Sequence, residues 1–264
     1  MYHPDSIRLN KAISDSGYCS RRQADRLIEQ GRVTLNNAQV SLGDRVMPND
    51  EIRVDSKLIS KNENLIYIVL NKPVGITCTT DQRIKGNVVD LINHEERIFH
   101  VGRLDKPSEG LLLMTNDGNI VNKILRAGNH HQKEYIVTVN RPISNDFIKK
   151  MSNGIPLREL EATTKKCEVE KISRFIFKIV LVQGLNRQIR RMCDYLGYDV
   201  IKLQRIRIMN ISLGKLVVGE WRYLTEQEVN GLKLAVTSSD NSSFIDNLEK
   251  ETARNVKKNR SHTD

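Results

Sequence analysis

A short charged segment between two glycines is the strongest candidate for chemistry in this sequence. Residues 102–110 read GRLDKPSEG, and an apolar run suited to a buried strand follows at residues 111–115. Asp105 lies between Arg103 and Lys106, whose positive charges favour the ionised carboxylate. An ionised Asp at the start of a strand suits a nucleophile or a general base. The spacing alone also fits a loop Asp in a surface ion pair.

Three arginines occupy one face of a helix that the sequence predicts at residues 187–196. With Ile189 at zero and about 100° per residue, Met192, Cys193 and Leu196 fall within about 60° of it. The opposite side carries the charged residues Arg187, Arg190, Arg191 and Asp194. We expect one face to pack while the other presents three guanidinium groups. A solvated face of an ordinary surface helix has the same pattern.

The net charge of the chain indicates a polyanionic partner. Its 264 residues include 42 Lys and Arg against 32 Asp and Glu, which gives +10. Residues 119–191 hold 15 of these basic and 6 of these acidic side chains, a net of +9, so the excess lies in the middle of the chain. Such an excess favours binding to nucleic acid.

Several classes of protein are disfavoured by what the sequence lacks. The four cysteines form no Cys-x-x-Cys pair and the six histidines are scattered, so neither a zinc site nor a disulfide framework is expected. No glycine-rich phosphate loop is present, and we expect no cofactor and no metal. No apolar run approaches the ~18 residues of a membrane span, and the first residues do not read as a signal peptide. The chain is therefore predicted to be cytoplasmic and not membrane-bound.

The elements that must position the charged residues follow from hydrophobic periodicity and turn signals. Strands are predicted at residues 65–70, 111–115, 134–139 and 175–182, with weaker signals at 201–203 and 217–218. Helices are predicted at residues 88–93, 119–126, 144–152, 187–196 and 226–236. Because strands and helices do not alternate strictly, the pattern favours an α+β fold with a mixed, largely antiparallel β-sheet flanked by helices.

The first sixty residues predict a small α/β module. Two helices, one ending at Gly17 and the next opened by a capping box at Ser20, precede short strands at 33–35, 39–41 and 51–54. Residues 56–64 are polar and read as a linker. Residues 238–264 are too polar to bury a core and are predicted to be disordered. We therefore divide the chain into residues 1–60, residues 61–237 and a tail at 238–264.

The segment around Asp105 resembles the signature of the pseudouridine synthases that modify ribosomal RNA at a single uridine. The resemblance runs from GRLDKPSEGLL through Asn116, Asp117 and Gly118. In that family the Asp of this signature is catalytic, which implies that role for Asp105. The implied reaction breaks the bond from ribose to the uracil nitrogen, turns the base and rejoins it through carbon, without a cofactor.

Two further segments resemble the same family. The strand KEYIV at residues 133–137 is similar to its Lys-x-Tyr strand, which implies that Tyr135 stacks on the target base. The segment LVQGLNRQIRRM at residues 181–192 is similar to its Gly-x-x-x-Gln-Ile-Arg element and implies that Arg190 pairs with Asp105. Many members carry His immediately before the Gln, where this chain has Arg187. The residues expected to contact RNA here are Arg103, Leu104, Lys106, Lys133, Leu185, Asn186, Arg187, Gln188 and Arg191.

The N-terminal module resembles the small RNA-binding domain first known from a ribosomal small-subunit protein. The similar segments are residues 7–11, 17–25 and 28–33. Such a domain reads RNA mainly through shape and backbone. The implied RNA contacts are Arg8, Lys11, Ser20, Arg21, Arg22 and Arg26.

The resemblances imply an RNA substrate and leave its identity open. Residues 70–76, 123–129 and 164–167 are similar to the F-type subfamily, which acts on large-subunit ribosomal RNA, so a ribosomal RNA stem-loop is the expected target of a monomeric enzyme. A tRNA anticodon stem-loop is the second candidate RNA. The sequence is also compatible with an RNA-binding protein without activity and with a hydrolase that uses an Asp nucleophile. Whether Asp105 acts as nucleophile or base is left open.

Overall fold

The computed structural model describes residues 3–125 and 130–237. The predicted disordered tail at 238–264 and the last residue of the helix predicted at 119–126 lie outside the described ranges. Within those ranges, no helix is both long and apolar enough to cross a bilayer.

The N-terminal module packs two helices on short strands. Helices α1 (Leu9–Asp15) and α2 (Arg21–Glu29) bury Leu9, Ile13, Ala24 and Ile28. Ser20 caps α2 in the predicted capping box with Gln23. The strands are β1 (Ile7–Arg8), β2 (Val33–Leu35), β3 (Ala38–Gln39), β4 (Arg45–Val46), β5 (Ile52–Val54) and β6 (Lys57–Ile59). Strands β1 and β4 pair with each other, and a second sheet has the order β3-β2-β5-β6.

The linker prediction at residues 56–64 is wrong for its first half. Strand β6 continues the sheet there, because Asp55 and Ser56 both adopt a left-handed conformation and close a tight hairpin. Asn or Gly usually signals such a turn. The sequence Asp-Ser with polar flanks contains no such signal.

The second part of the chain is built on one nine-stranded sheet. Its strands are β7 (Tyr67–Lys72), β8 (Phe99–Val101), β9 (Glu109–Thr115), β10 (Lys133–Val139), β13 (Glu168–Lys171), β14 (Ile176–Leu181), β15 (Val200–Ile208), β16 (Ile211–Ser212) and β17 (Trp221–Tyr223). The central order is β13-β14-β10-β15-β9-β7-β17, with β16 on β15 and β8 on β9. Strands β11 (Pro156–Leu157) and β12 (Ala162–Thr163) form a separate hairpin. Only the pairing of β15 with β9 is parallel among the described strands, which confirms the mixed, largely antiparallel sheet.

Two strand predictions in the last third of the chain are corrected. Strand β15 has nine residues, whereas the sequence predicted a strand at 201–203. The prediction was too short because the charged side chains of Lys202, Arg205 and Arg207 interrupt the apolar alternation that marks a strand in sequence. Residues 217–218 are not a strand. Their valines are exposed, and the edge strand is β17, which begins at Trp221.

Helices cover the sheet where its strands are buried on both faces. Helices α4 (Gly118–Leu125) and α7 (Glu226–Val236) pack on one face of β7 and β9, while α3 (Val88–Ile92) packs on the other. This explains the continuous apolar run of β9. Helices α5 (Asn145–Asn153) and α6 (Gln188–Tyr195) cover β10 and β14 through Phe147, Met151, Ile189 and Met192. The α6 packing face is thus the predicted one, with Leu196 half-buried beside it.

Candidate active site

A cleft of about 300 Å³ opens between the loop before β9, the strands β10 and β15, and the segment that leads into α6. Nine of the predicted site residues line it: Arg103, Leu104, Asp105, Lys133, Tyr135, Leu185, Asn186, Arg187 and Gln188. Segments that are distant in sequence therefore meet at one place. Lys106, Arg190 and Arg191 lie outside the lining.

The loop that carries Asp105 is fixed by backbone hydrogen bonds. The buried Leu104 donates its N–H to the Cys78 thiol at 3.4 Å, and the Lys106 carbonyl accepts from Gly75 N at 2.8 Å. Gly102 has φ +72°, and a Cβ there would lie 2.8 Å from the Leu125 side chain, so the turn requires glycine. The Asp105 side chain is left 31% exposed and faces the cleft.

The expected ion pair between Arg190 and Asp105 is not present. Among the described residues, the cation within 4.0 Å of the Asp105 carboxylate is Arg187, whose Nη1 lies 3.8 Å from Oδ2. Arg187 adopts φ +50° as the residue before α6, a left-handed conformation that is strained for a non-glycine residue. That turn places the guanidinium over the cleft.

Arg190 instead holds the loop that follows Asp105. Its Nη2 donates to the Pro107 carbonyl at 3.0 Å and to Ser108 Oγ at 3.2 Å, and its Nη1 donates to the Val200 carbonyl at 3.1 Å. Burial and the nearby charge of Arg187 lower the pKa of Arg190, while Asp105 acts in the opposite direction. Arg190 thus joins α6, the loop that carries Asp105 and the start of β15.

Tyr135 lies on the floor of the cleft. In the sheet it stands opposite Ile179 on β14 and Arg205 on β15, and its ring packs against both apolar clusters that flank it. The side chain is half-buried. An aromatic face in a cleft beside a carboxylate provides a stacking surface for a planar base.

The segment from Gly184 to Gln188 forms the upper wall of the cleft. The buried Gln188 side chain accepts from Leu185 N at 3.1 Å and thereby closes the turn. Arg191 is one of the expected RNA contacts. It forms an ion pair with Glu159 and donates to the Asn186 carbonyl at 3.1 Å, so its guanidinium supports the wall from behind.

The structure adds residues that sequence reasoning missed. Arg205 is buried and lines the cleft beside Lys133, and Ser108 and Gln183 also line it. Burial lowers the pKa of Lys133 to about 8, and the positive charge of Arg205 contributes to the same shift to a smaller extent. Arg205 could have been identified from the sequence as a charged residue at an inward-facing position of a strand. It was not recognised as a strand residue, because the strand predicted from the sequence ends at residue 203.

The predicted RNA contacts of the N-terminal module differ in how accessible their side chains are to RNA. Arg8, Arg21, Arg22 and Arg26 are exposed. Lys11 forms an ion pair with Asp15, whose carboxylate faces Gly118 of the second domain. The Ser20 hydroxyl is engaged in the helix cap. Within the part of the chain that the structure describes, no three His, Cys, Asp or Glu side chains are grouped to hold a metal ion.

Comparison with known proteins assigns the class. The RNA pseudouridylate synthase family model matches residues 66–195, and the S4 domain model matches residues 7–52. The chain belongs to the RNA pseudouridine synthase family, with an RNA-binding S4 domain ahead of the catalytic domain.

Individual relatives show which members of this family the chain resembles. It is 56% identical over 240 residues to the dual-specificity RNA pseudouridine synthase RluF of Escherichia coli strain K12, covering 89% of this chain and 82% of the relative. It is 34% identical to the ribosomal large subunit pseudouridine synthase B of Bacillus subtilis, covering 89% and 99%. A crystal structure of a pseudouridylate synthase superposes with a TM-score of 0.65 at 30% identity, covering 86% of this chain and 99% of the other.

Proposed function

We propose that this protein converts a uridine in a stem-loop of large-subunit ribosomal RNA to pseudouridine, as a cytoplasmic monomer. The observation that carries the proposal is the cleft in which Asp105 and Tyr135 meet, in a chain 56% identical to a dual-specificity RNA pseudouridine synthase. The large-subunit target is supported by the second relative, a large-subunit pseudouridine synthase.

The cleft has the size that a single flipped nucleotide requires. At about 300 Å³ it lies at the lower end of the range for small-molecule sites. The duplex cannot enter it, so the uridine must leave its stack at a cost of a few kcal/mol. Stacking on Tyr135 and phosphate contacts from the exposed cations Arg103 and Arg187, which line the cleft, and from Lys106 next to Asp105 would offset that cost.

Asp105 is the residue proposed to act on the flipped uridine. Its carboxylate faces the cleft from a loop whose backbone is fixed on both sides, so its position is set before the RNA binds. Arg187 supplies a positive charge 3.8 Å away, and Arg190 keeps the loop in place through Pro107 and Ser108. We assign Asp105 and Tyr135 to the chemistry and Arg190 to positioning.

The proposed function gives each of the two parts of the chain a separate role. Residues 1–60 would hold the RNA through the exposed arginines of the S4 domain, and residues 61–237 would carry the reaction. Because the S4 contacts are solvent-exposed, they would act mainly through phosphate neutralisation.

The defining experiment compares ribosomal RNA from cells with and without the gene. Carbodiimide labelling followed by primer extension should show one pseudouridine lost from the large-subunit RNA and restored by the wild-type gene. The Asp105→Asn gene serves as the matched control and should not restore it. Unchanged pseudouridine in every RNA would favour a binding protein without activity.

A second substrate is favoured by one observation. Relatives more than half identical to this chain are described as dual-specificity enzymes. We therefore include a tRNA anticodon stem-loop as a second proposed target. The same labelling applied to the tRNA fraction tests it, and loss of a tRNA pseudouridine in the deletion strain is the expected result.

A further inference from the structure

Two positively charged side chains are buried next to each other on the floor of the cleft. Lys133 is 5% exposed and Arg205 is 3% exposed, and both line the cleft with Tyr135 and Asp105. Among the described residues, neither has a carboxylate within ion-pair distance. Buried charges in proteins are normally paired, since an uncompensated one is strongly destabilising.

Their hydrogen bonds are also incomplete. Among the residues that the structure describes, the Lys133 ammonium donates to one group, the His131 carbonyl at 3.2 Å. Arg205 donates from Nε to the Leu111 carbonyl at 2.7 Å. Among the described residues neither of its terminal nitrogens has a hydrogen-bond partner, and Nη2 is fully buried. A guanidinium that lines a cleft and lacks acceptors is costly to the fold and is suited to a ligand that supplies them. The ligand that suits both cations is an anion.

The sheet is built to hold Arg205 in this position. The register between β10 and β15 shifts at Glu134 and Tyr135, so that Arg205 lies opposite Tyr135 while Arg207 lies opposite Glu134. Arg205 thereby reaches the cleft, and Arg207 is paired with Glu134 at a separate surface. At Gly110, φ is +102° and a Cβ would overlap the backbone of Arg205. Only glycine allows β9 to approach β15 closely enough there.

We propose that Arg205, assisted by Lys133, is a further catalytic residue that stabilises the negative charge on uracil when it separates from the ribose. This inference rests on the proposed function. In that step the bond from C1′ to N1 breaks and its electron pair passes to the uracil ring, where the two carbonyl oxygens share it. The turned ring then forms the bond from C5 to C1′. C5 loses its proton and N1 gains one, so atoms and charge balance without a co-reactant.

The depth of the pair favours a uracil oxygen over a phosphate. Arg103, Lys106 and Arg187 are exposed to solvent and are therefore available to the phosphates of the RNA. Lys133 and Arg205 are buried and line the cleft together with Tyr135, on which the base is proposed to stack. A desolvated guanidinium aimed at developing charge is more effective than one in water, because little reorganisation is needed.

This assignment predicts an effect on rate and not on affinity. Before the bond breaks, the uracil is neutral and gains little from either cation. After it breaks, the same contact becomes an ion pair in a site of low dielectric constant. The interaction is therefore made mainly in the transition state, and its loss should lower kcat with little change in the Kd for RNA.

The test uses the full chain and a large-subunit RNA transcript that contains 5-tritiated uridine. Arg205→Gln retains a donor for the Leu111 carbonyl and removes the charge, and single-turnover tritium release should fall by about 100-fold or more. Its Kd for the RNA should stay within about threefold of wild type. Arg205→Lys restores the charge and should recover part of the rate. Arg207→Gln is the matched control from the same strand and should retain wild-type tritium release.

Three results would overturn the inference. The first is a folded Arg205→Gln protein with a rate within about threefold of wild type. The second is a weaker Kd together with a salt dependence reduced by about one charge, which would identify a phosphate contact. If Arg205→Gln fails to fold, Lys133→Gln replaces it, and an unchanged rate in that variant is the third. Inactive wild-type protein on every RNA would instead contradict the proposed function.

Discussion

The S4 domain and the catalytic cleft both present positive charge, but they hold it in opposite environments. Arg8, Arg21, Arg22 and Arg26 are exposed on the S4 domain. In the cleft, Lys133 and Arg205 are almost fully buried, and Arg190 beside it is engaged by three oxygen acceptors. Exposed cations exchange counterions for phosphates, whereas buried ones are fixed before the RNA arrives.

This difference separates affinity from chemistry. A solvated arginine contributes binding that depends on salt and is nearly independent of sequence. A buried, preoriented cation contributes where charge develops and adds little in the ground state. We therefore expect substitutions in the two regions to change different measured quantities.

The largest expected effect is that of Asp105→Asn. The amide has nearly the same shape but cannot act as nucleophile or base, so turnover should fall by about 10⁴-fold or more. Affinity for the RNA should stay within about tenfold of wild type, because the S4 domain and the exposed cations Arg103, Lys106 and Arg187 are unchanged. Tritium release and filter binding measure the two quantities. Activity comparable to wild type would refute the central assignment.

Arg190→Gln should have the next largest effect. The variant loses the hydrogen bonds to Pro107 and Ser108 and allows the Asp105 loop to move, and a misplacement of about 1 Å can cost about 100-fold in rate. Arg191→Gln is the comparison from the next position of the same helix, where the guanidinium contacts Glu159 and the Asn186 carbonyl instead of the Asp105 loop. Its rate should fall by less than that of Arg190→Gln, because a partly exposed ion pair contributes little and the hydrogen bonds to Pro107 and Ser108 are retained. Equal losses of rate in both variants would contradict the positioning role of Arg190.

The paired substitution Arg21→Gln with Arg22→Gln tests the other side of the comparison. Two exposed phosphate contacts are lost, so the Kd should weaken and the salt dependence of binding should fall by about two charges. The rate at saturating RNA should remain that of wild type. A reduced rate with unchanged Kd would mean that the S4 domain takes part in catalysis.

The smallest effect is a dependence of stability on pH. Folding lowers the pKa of Lys133 from 10.5 to about 8, so between these values the unfolded chain binds more protons than the folded one. The contribution of Lys133 to the free energy of unfolding should therefore rise with pH through this window and be lost as pH falls through 8. Lys133→Met should abolish that rise. Thermal unfolding of both proteins at pH 7 and pH 10 measures it, and parallel changes in Tm would contradict the burial of the charge.

Much of the fold could be predicted from sequence because its signals are local. The capping box at Ser20, the apolar run of β9 and the amphipathic face of α6 each depend on neighbouring residues, and all three are confirmed. The α+β class and the S4 domain are confirmed as well. Strand β6 and most of β15 were missed because polar and charged side chains conceal strands whose pairing lies elsewhere in the chain.

In the candidate site, too, local sequence identified some features and tertiary structure decided the others. The sequence by itself determined which segment carries Asp105, which strand carries Tyr135 and which helix supplies the arginines, since each lies in a short recognisable run. The partner of each side chain was decided only by tertiary structure. The left-handed turn at Arg187 brings that residue to Asp105, and Arg190 is directed to the loop backbone. The register shift between β10 and β15 turns Arg205 into the cleft. Spacing along the chain fixes which residues are near in sequence, but contacts across a sheet depend on register and twist, which no local pattern contains.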